Sequence, residues 1–309
     1  MKCLREDCPN EAATDSNFCE GDRWRSSGVG VVSIDPDASA STRMEEETPT
    51  YAPGTFCWVE CATSEGEAGK NFYTSLFGWD FVDNPIAPGV VYTMLKQNGK
   101  DIGGLYQLMP EMSAQGIHPH WLSYISIEDT DEAAAKVTNA GGTLLKEPFD
   151  IFTMGRMAVI QDPTGAVFAL WQAGTHRGAT ILKMPNSLCW NELATTDTRK
   201  AGEFYSTVLG WTRRIQHVGA EYTSFINGER AAAGMVLLSP ESHRQSHWLT
   251  YFGVIDLDTT VSKALACGAR LVKAADGNAP SGRFAILLDP QGAAFGLIQI
   301  VNQPAEFSF

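Results

Sequence analysis

Two acidic residues sit in closely similar apolar stretches, Glu60 in "TFCWVECAT" and Glu192 in "LCWNELATT". The alternation in each stretch reads as a strand. Its period of two groups Phe56, Trp58, Glu60 and Ala62 on one face, and Trp190 with Glu192 in the second stretch. A further pair of strands, "HWLSYISIED" and "HWLTYFGVID", puts His120, Leu122 and Tyr124 on one face, and His247, Leu249 and Tyr251 on the other copy's. Aligning the halves of each copy sets Glu60 against Tyr124 and Glu192 against Tyr251. A carboxyl group in apolar, Trp-flanked surroundings has its pKa raised by desolvation, which suits proton transfer near neutrality. A facing phenol can donate a hydrogen bond to a substrate oxygen. The plainer reading is a satisfied polar core, with Glu60 bonded to Tyr124 or to Arg156.

Other side chains invite weaker readings. His120 follows Pro119 at a strand start, where exposed or capping residues are common; His247 is its counterpart, and His118 and His243 lie in loops. A displaced metal site joining His120 to Glu60 is one alternative. Arg156 and Arg283 each follow a glycine and could hold a substrate carboxylate or phosphate, or form a salt bridge. Trp58, Trp171 and Trp190 could bind a substrate by stacking or simply fill a core.

The elements that must position these groups come as a repeat. Trp58, Phe72-Tyr73 and Gly78-Trp79 recur 132 residues later at Trp190, Phe204-Tyr205 and Gly210-Trp211. His120-Trp121, Tyr124, Arg156 and Asp162-Pro163-Thr164-Gly165 recur 127 residues later at His247-Trp248, Tyr251, Arg283 and Asp289-Pro290-Gln291-Gly292. A five-residue deletion, placed in a hairpin loop, reconciles the two offsets. Within each copy a strand is followed by an amphipathic helix ending at glycine, then by three short strands; the scheme then restarts. Each copy is therefore two βαβββ units, in the α+β class, with the first copy over 54–176 and the second over 185–301.

The segment 28–53 is rich in Ser, Thr, Pro, Asp and Glu and reads as a flexible linker. Ahead of it, 1–27 is Cys-rich, with Cys3, Cys8 and Cys19 followed by Asp22 at the spacing C-x4-C-x10-C-x2-D. Three clustered thiolates and a carboxylate could hold a structural zinc, with Asp22 where small zinc modules usually offer His. The other cysteines, Cys57, Cys61, Cys189 and Cys267, lie in apolar text and read as small buried hydrophobes.

Across all 309 residues the net charge is −13, and residues 1–53 hold five basic and eleven acidic side chains. An acidic chain without a basic stripe is a poor partner for nucleic acid. No apolar run approaches the roughly 20 residues of a membrane span, and no secretory signal opens the chain, so a cytoplasmic location is expected. Oligomeric state is left between monomer and homodimer.

The four-unit order, with "FY..LFGW" and "DPTGAVFAL", resembles the vicinal oxygen chelate superfamily over about 54–300. That superfamily includes glyoxalase I, extradiol dioxygenases and bleomycin-resistance proteins. More narrowly, the two "HWL" strands look like actinobacterial tandem proteins called glyoxalase-like or hydroxylase-like. The resemblance implies paired βαβββ units curled into a cup-shaped mixed sheet around a ligand, with a divalent metal held by His and Glu. Carried over, its ligand positions fall on Trp58, Leu122 and Ala169, and on Trp190, Leu249 and Gly296. No cofactor is therefore expected in either cup. The expected function is metal-independent proton transfer on a small organic molecule, of lyase, isomerase, cyclase or hydrolase type, with Glu60 and Glu192 as bases. The alternatives are sequestration of an aromatic ligand, as in the bleomycin-resistance relatives, and a metal-dependent glyoxalase or dioxygenase.

Overall fold

Two eight-stranded mixed sheets carry the chain in a computed structural model, which describes residues 49–218, 220–239, 241, 244–275 and 282–300. Cys3, Cys8, Cys19 and Asp22 lie outside the described residues. The first module runs β1 (Phe56–Thr63), α1 (Gly66–Phe77), β2 (Asp80–Ala87), β3 (Val90–Gln97) and β4 (Lys100–Gln107). A short α2 (Pro110–Ala114) leads into β5 (His120–Ser126), α3 (Thr130–Asn139), β6 (Thr143–Ile151), β7 (Gly155–Gln161) and β8 (Val167–Ala173). The second module repeats this with β9 (Leu188–Thr195), α4 (Thr198–Leu209), β10 (Thr212–Val218), β11 (Ala220–Asn227) and β12 (Arg230–Leu237). It closes with β13 (His247–Val254), α5 (Leu257–Ala266), β14 (Arg270–Ala275), β15 (Phe284–Leu288) and β16 (Ala294–Gln299).

Both sheets have the same order, β2-β3-β4-β1-β5-β8-β7-β6 in the first and β10-β11-β12-β9-β13-β16-β15-β14 in the second. The lead strands of the two units, β1 and β5, pair antiparallel at the centre, and each is parallel to the last strand of its own unit. Local chemistry sets the element ends. Asp129, Asp197 and Asp256 cap α3, α4 and α5 by accepting a backbone N–H three residues on. Gly78 and Gly210 stop α1 and α4 in the left-handed conformation. Among the described residues no helix is long and apolar enough to cross a membrane.

The two modules share their cores. Phe72, Tyr73, Leu76 and Phe77 of α1 cluster with Phe252, Phe295 and Leu297 of the second sheet. Reciprocally, Phe204, Tyr205 and Val208 of α4 cluster with Ile125, Ile160 and Phe168 of the first. Within this interface lies a duplicated polar lock. The Tyr73 hydroxyl donates to Asp289 Oδ2 at 2.8 Å and accepts from the Trp121 indole at 2.8 Å. Tyr205 likewise donates to Asp162 Oδ2 at 2.9 Å and accepts from Trp248 at 2.8 Å. The other oxygen of each aspartate caps its own turn: Asp162 Oδ1 accepts from the Thr164 and Ala166 amides, and Asp289 Oδ1 from those of Gln291 and Ala293. The most conspicuous repeated text, "FY", "HW" and "DPxG", thus ties each module to the other.

One face assignment needs correction. A bulge between Phe56 and Trp58 turns Phe56 away from the Trp58 face, to a ring 5.2 Å from Trp248 in the interface. Beyond the bulge the alternation holds: Val59 and Cys61 face the interface, and Trp58 and Glu60 face the concavity of their own sheet.

Candidate functional site

In the first cup Glu60 is 8% exposed and both its oxygens are occupied. Tyr124 donates to Oε1 at 2.6 Å and Tyr92 to Oε2 at 3.0 Å, while the Trp58 indole donates to the Tyr92 hydroxyl at 3.1 Å. Burial pushes the Glu60 pKa up, against the two phenol hydrogen bonds, which favour the ionised form. Burial also raises Tyr92 and Tyr124, so both remain O–H donors. Around them Trp58, Leu122, Tyr124, Met157, Ala169 and Trp171 form a buried cluster. His176, just past β8, sets its ring edge-on to Trp58 at 4.6 Å and to Trp171 at 6.0 Å. The first cup is filled by its own side chains.

The second cup repeats the polar arrangement and leaves it more open. Tyr251 donates to Glu192 Oε1 at 3.1 Å, and the Trp190 indole donates to the hydroxyl of the neighbouring Tyr222 at 3.2 Å. Burial again raises the Glu192 pKa, opposed by Tyr251, by Tyr222 and by the charge of Lys273. Here, however, Glu192 and Trp190 are only half-buried. The repeat offset explains the difference. Trp171 corresponds to Ile298, Ala169 to Gly296 and Met157 to Phe284. The plugging indole is absent, and the Tyr251 ring lies against the bare backbone of Gly296, where a methyl group would overlap it.

Tyr92 and Tyr222 are the site residues that the sequence reading missed. Each comes from the third strand of its first unit and reaches across the sheet only because a glycine lies beneath its hydroxyl. A methyl group on Gly104 would overlap the Tyr92 hydroxyl, and one on Gly234 that of Tyr222. Both pairs recur at an offset of 130, between the 132 and 127 of the flanking blocks. His176 was also missed; its counterpart position lies outside the described residues.

Other expected site residues stand elsewhere. His120 lies opposite Ala62, beyond Leu122, and its Nδ1 bonds the His118 carbonyl at 2.8 Å. His247 does the same with Gln245 O at 2.8 Å. Burial lowers both pKa values, keeping the rings neutral near pH 7. Neither histidine contacts the carboxylate of its cup. Arg156 departs from the expectation of a substrate clamp. It sits on the helix-covered face, one residue out of step with Met157, and binds Asp131 of α3 at 2.8 and 2.9 Å and Asp150 at 2.9 Å. Arg283 binds Asp258 of α5 at 2.7 and 2.9 Å in the same way. The period of two turned both guanidinium groups away from the cups. Of the cysteines, Cys57 and Cys61 are buried, and Cys189 and Cys267 half-buried, all as free thiols.

The pairing of two βαβββ units around a cup is matched by direct comparison. The model of the Glyoxalase/Bleomycin resistance protein/Dioxygenase superfamily matches residues 56–170, and that of the Glyoxalase-like domain matches residues 189–298. The chain belongs to this superfamily. It is 40% identical to "Putative glyoxylase CFP32" of Mycobacterium tuberculosis, across 82% of this chain and 97% of that protein. It is 32% identical to the anthracycline biosynthesis protein DnrV of Streptomyces peucetius, across 81% of this chain and 94% of that one. The fold also matches the Mn(II)-bound glyoxalase of Novosphingobium aromaticivorans at a TM-score of 0.55 and 14% identity, covering 80% of this chain and 82% of that one. The 2,3-dioxygenase LapB of Pseudomonas sp. KL28 matches at 0.57 and 12%, covering 84% and 96%.

The metal that the family implies does not fit the donors present. The corresponding cup positions hold Trp58, Leu122 and Ala169, or Trp190, Leu249 and Gly296, none of which offers a lone pair to a divalent ion. Among the described residues no three His, Cys, Asp or Glu side chains come together as a metal site.

One consequence concerns stability. Because the folded-state pKa of Glu60 is raised, its contribution is fully present below the ordinary carboxylate value and is lost as pH rises through the folded value. Glu60→Gln keeps the shape and removes the titration. Thermal melts should therefore show the variant gaining on wild type as pH rises from the ordinary carboxylate value to the folded value and levelling off above it, with no gain at pH 4. A gap independent of pH would contradict a buried, titrating Glu60.

Proposed function

We infer that the second cup is a small-molecule site in which Glu192 moves a proton without a metal, while the first cup is a packed scaffold. The observation that carries this reading is the contrast between two constellations built from the same kinds of side chain. Glu60 is enclosed by Trp58, Trp171 and Met157, whereas Glu192 stands half-buried among Trp190, Tyr222, Tyr251 and Phe284. A ligand can reach only a carboxyl group whose neighbours leave it room.

The chemistry that suits these groups is removal of a proton from a carbon next to a carbonyl. The C–H proton passes to the Glu192 carboxylate, and the electron pair of that bond moves into the carbonyl, leaving an enolate oxygen. Tyr251, turning its O–H from Glu192 to that oxygen, or the neighbouring Tyr222 hydroxyl offsets the new charge. Returning the proton at the same or a neighbouring atom makes the reaction an isomerisation, and loss of a leaving group makes it a lyase reaction. The names of relatives linked to glyoxylase activity and to anthracycline biosynthesis support a small organic ligand. The aromatic lining favours a second reading, sequestration of an aromatic ligand with no turnover.

Calorimetric titration with 2-acetonaphthone tests the choice of cup. One equivalent per chain is expected. Ile298→Trp, which copies the first module's plug into the second cup, should abolish binding, whereas Trp171→Ile should leave it intact. The reverse pattern would place the site in the first cup.

A further inference from the structure

Lys273 is the charged residue of the second cup that the chemistry above does not use. It lies in β14 opposite Ile286 of β15, on the cup face at the sheet's outer edge. Its Nζ stands 5.5 Å above the Phe284 ring, and that ring meets Tyr251 edge-on at 6.0 Å between centroids. Tyr251 in turn donates to Glu192 at 3.1 Å. An ammonium, two aromatic rings and a carboxyl group thus form one line from the rim to the interior. Lys273 is exposed, and among the described residues no carboxylate lies within ion-pairing distance of its Nζ. Its charge nevertheless reaches Glu192.

The first module supplies an internal control. Lys146 occupies the matching place, opposite Val159, but its Nζ stands over Phe149 at 5.7 Å. The platform position beneath it holds Met157 in place of Phe284. Only the open cup joins the cation, the aromatic platform and the acid.

Resting on the reading of the second cup as a ligand site, we propose that Lys273 recognises an anionic group on an aromatic substrate, so that the class bound is an aryl carboxylate or a related planar anion. The ring system lies on Phe284 and Tyr251, the anionic end faces Lys273 at the rim, and the far end reaches Glu192. This orientation keeps the substrate's charge away from the carboxylate that must accept the proton. It also selects one end of the ligand for reaction.

The test is a pair of probes of equal shape, 2-naphthoate and 2-naphthamide, titrated calorimetrically into the full chain. Wild type should bind the carboxylate about fivefold tighter than the amide, the scale of a single partly exposed charge contact. That preference should shrink as salt is raised. Lys273→Met should erase it by weakening 2-naphthoate alone, and Lys146→Met should change neither affinity. Because Lys273 is exposed, its replacement should leave the near-ultraviolet circular dichroism spectrum unchanged. Equal affinities in wild type, or a preference that survives Lys273→Met, would overturn anion recognition and leave the cup assignment standing. Binding of both probes that is insensitive to Ile298→Trp would instead overturn the cup assignment, and failure of both to bind would overturn the aromatic class as well.

Discussion

Glu192→Gln is expected to lower turnover by about 10²–10⁴-fold while ligand affinity stays within about twofold, the pattern for loss of a general base that adds little to ground-state binding. Glutamine keeps the hydrogen-bond acceptor for Tyr251 but cannot take up a proton at neutral pH. The readout is solvent-deuterium exchange at the acidic methyl of 2-acetonaphthone, followed by proton nuclear magnetic resonance. Glu60→Gln serves as control, because its carboxyl group is enclosed by Trp58, Trp171 and Met157. The wild-type rate should rise with pH through a value above the ordinary carboxylate range, since burial raises the Glu192 pKa. If wild type binds the ketone and exchanges nothing, the second cup sequesters its ligand and does no chemistry. Equal losses in the two variants would mean that both cups work.

The largest effect on stability is expected from the lock between the modules. Asp162 is 3% exposed and accepts four hydrogen bonds: two from Thr164, one from the Ala166 amide and one from Tyr205 of the other module. Asp162→Ala leaves the buried Tyr205 hydroxyl and two turn amides without their acceptor, a cost on the order of 3 kcal/mol or more. For a unit of this size that corresponds to a Tm lower by roughly 6–12 °C. Tyr205→Phe removes the bond to Asp162 and the acceptor of the Trp248 indole but leaves the turn at Asp162 intact, and should cost about 1–3 kcal/mol. Because both modules contribute to each core, melting should remain a single transition in both variants. A separate early transition for one module would contradict the shared core.

Much of this architecture can be read from the chain, because a tandem repeat reports its own register. Strand β1, the helix stop at Gly78 and the facing of Glu60 by Tyr124 all follow from period-two and period-3.6 patterns within one copy. What escaped depends on geometry that such patterns do not encode. The bulge after Phe56 reversed one face assignment, since a single extra residue shifts the alternation. Arg156 and Arg283 stayed open between a substrate clamp and a salt bridge, because nothing nearby fixed the step from strand start to strand face; both form the salt bridge. Tyr92 and Tyr222 lie in the hairpin text where the two offsets change, and their role depends on Gly104 and Gly234 in the next strand. The partners of Tyr73 and Tyr205 are in the opposite copy, at sequence separations of 216 and 43 residues. Lys273 had a visible counterpart in Lys146, yet its significance rests on Phe284 replacing Met157, a difference between the copies where the reading weighed their likeness.

The ligand belongs to the second cup if Glu192 is the working acid. Crystals soaked with 6-bromo-2-naphthoate and measured at the bromine absorption edge test it most directly. One anomalous peak per chain is predicted, against Phe284 and Tyr251, with the carboxylate density directed to Lys273. A peak between Trp58 and Trp171, or equal peaks in the two modules, would contradict it.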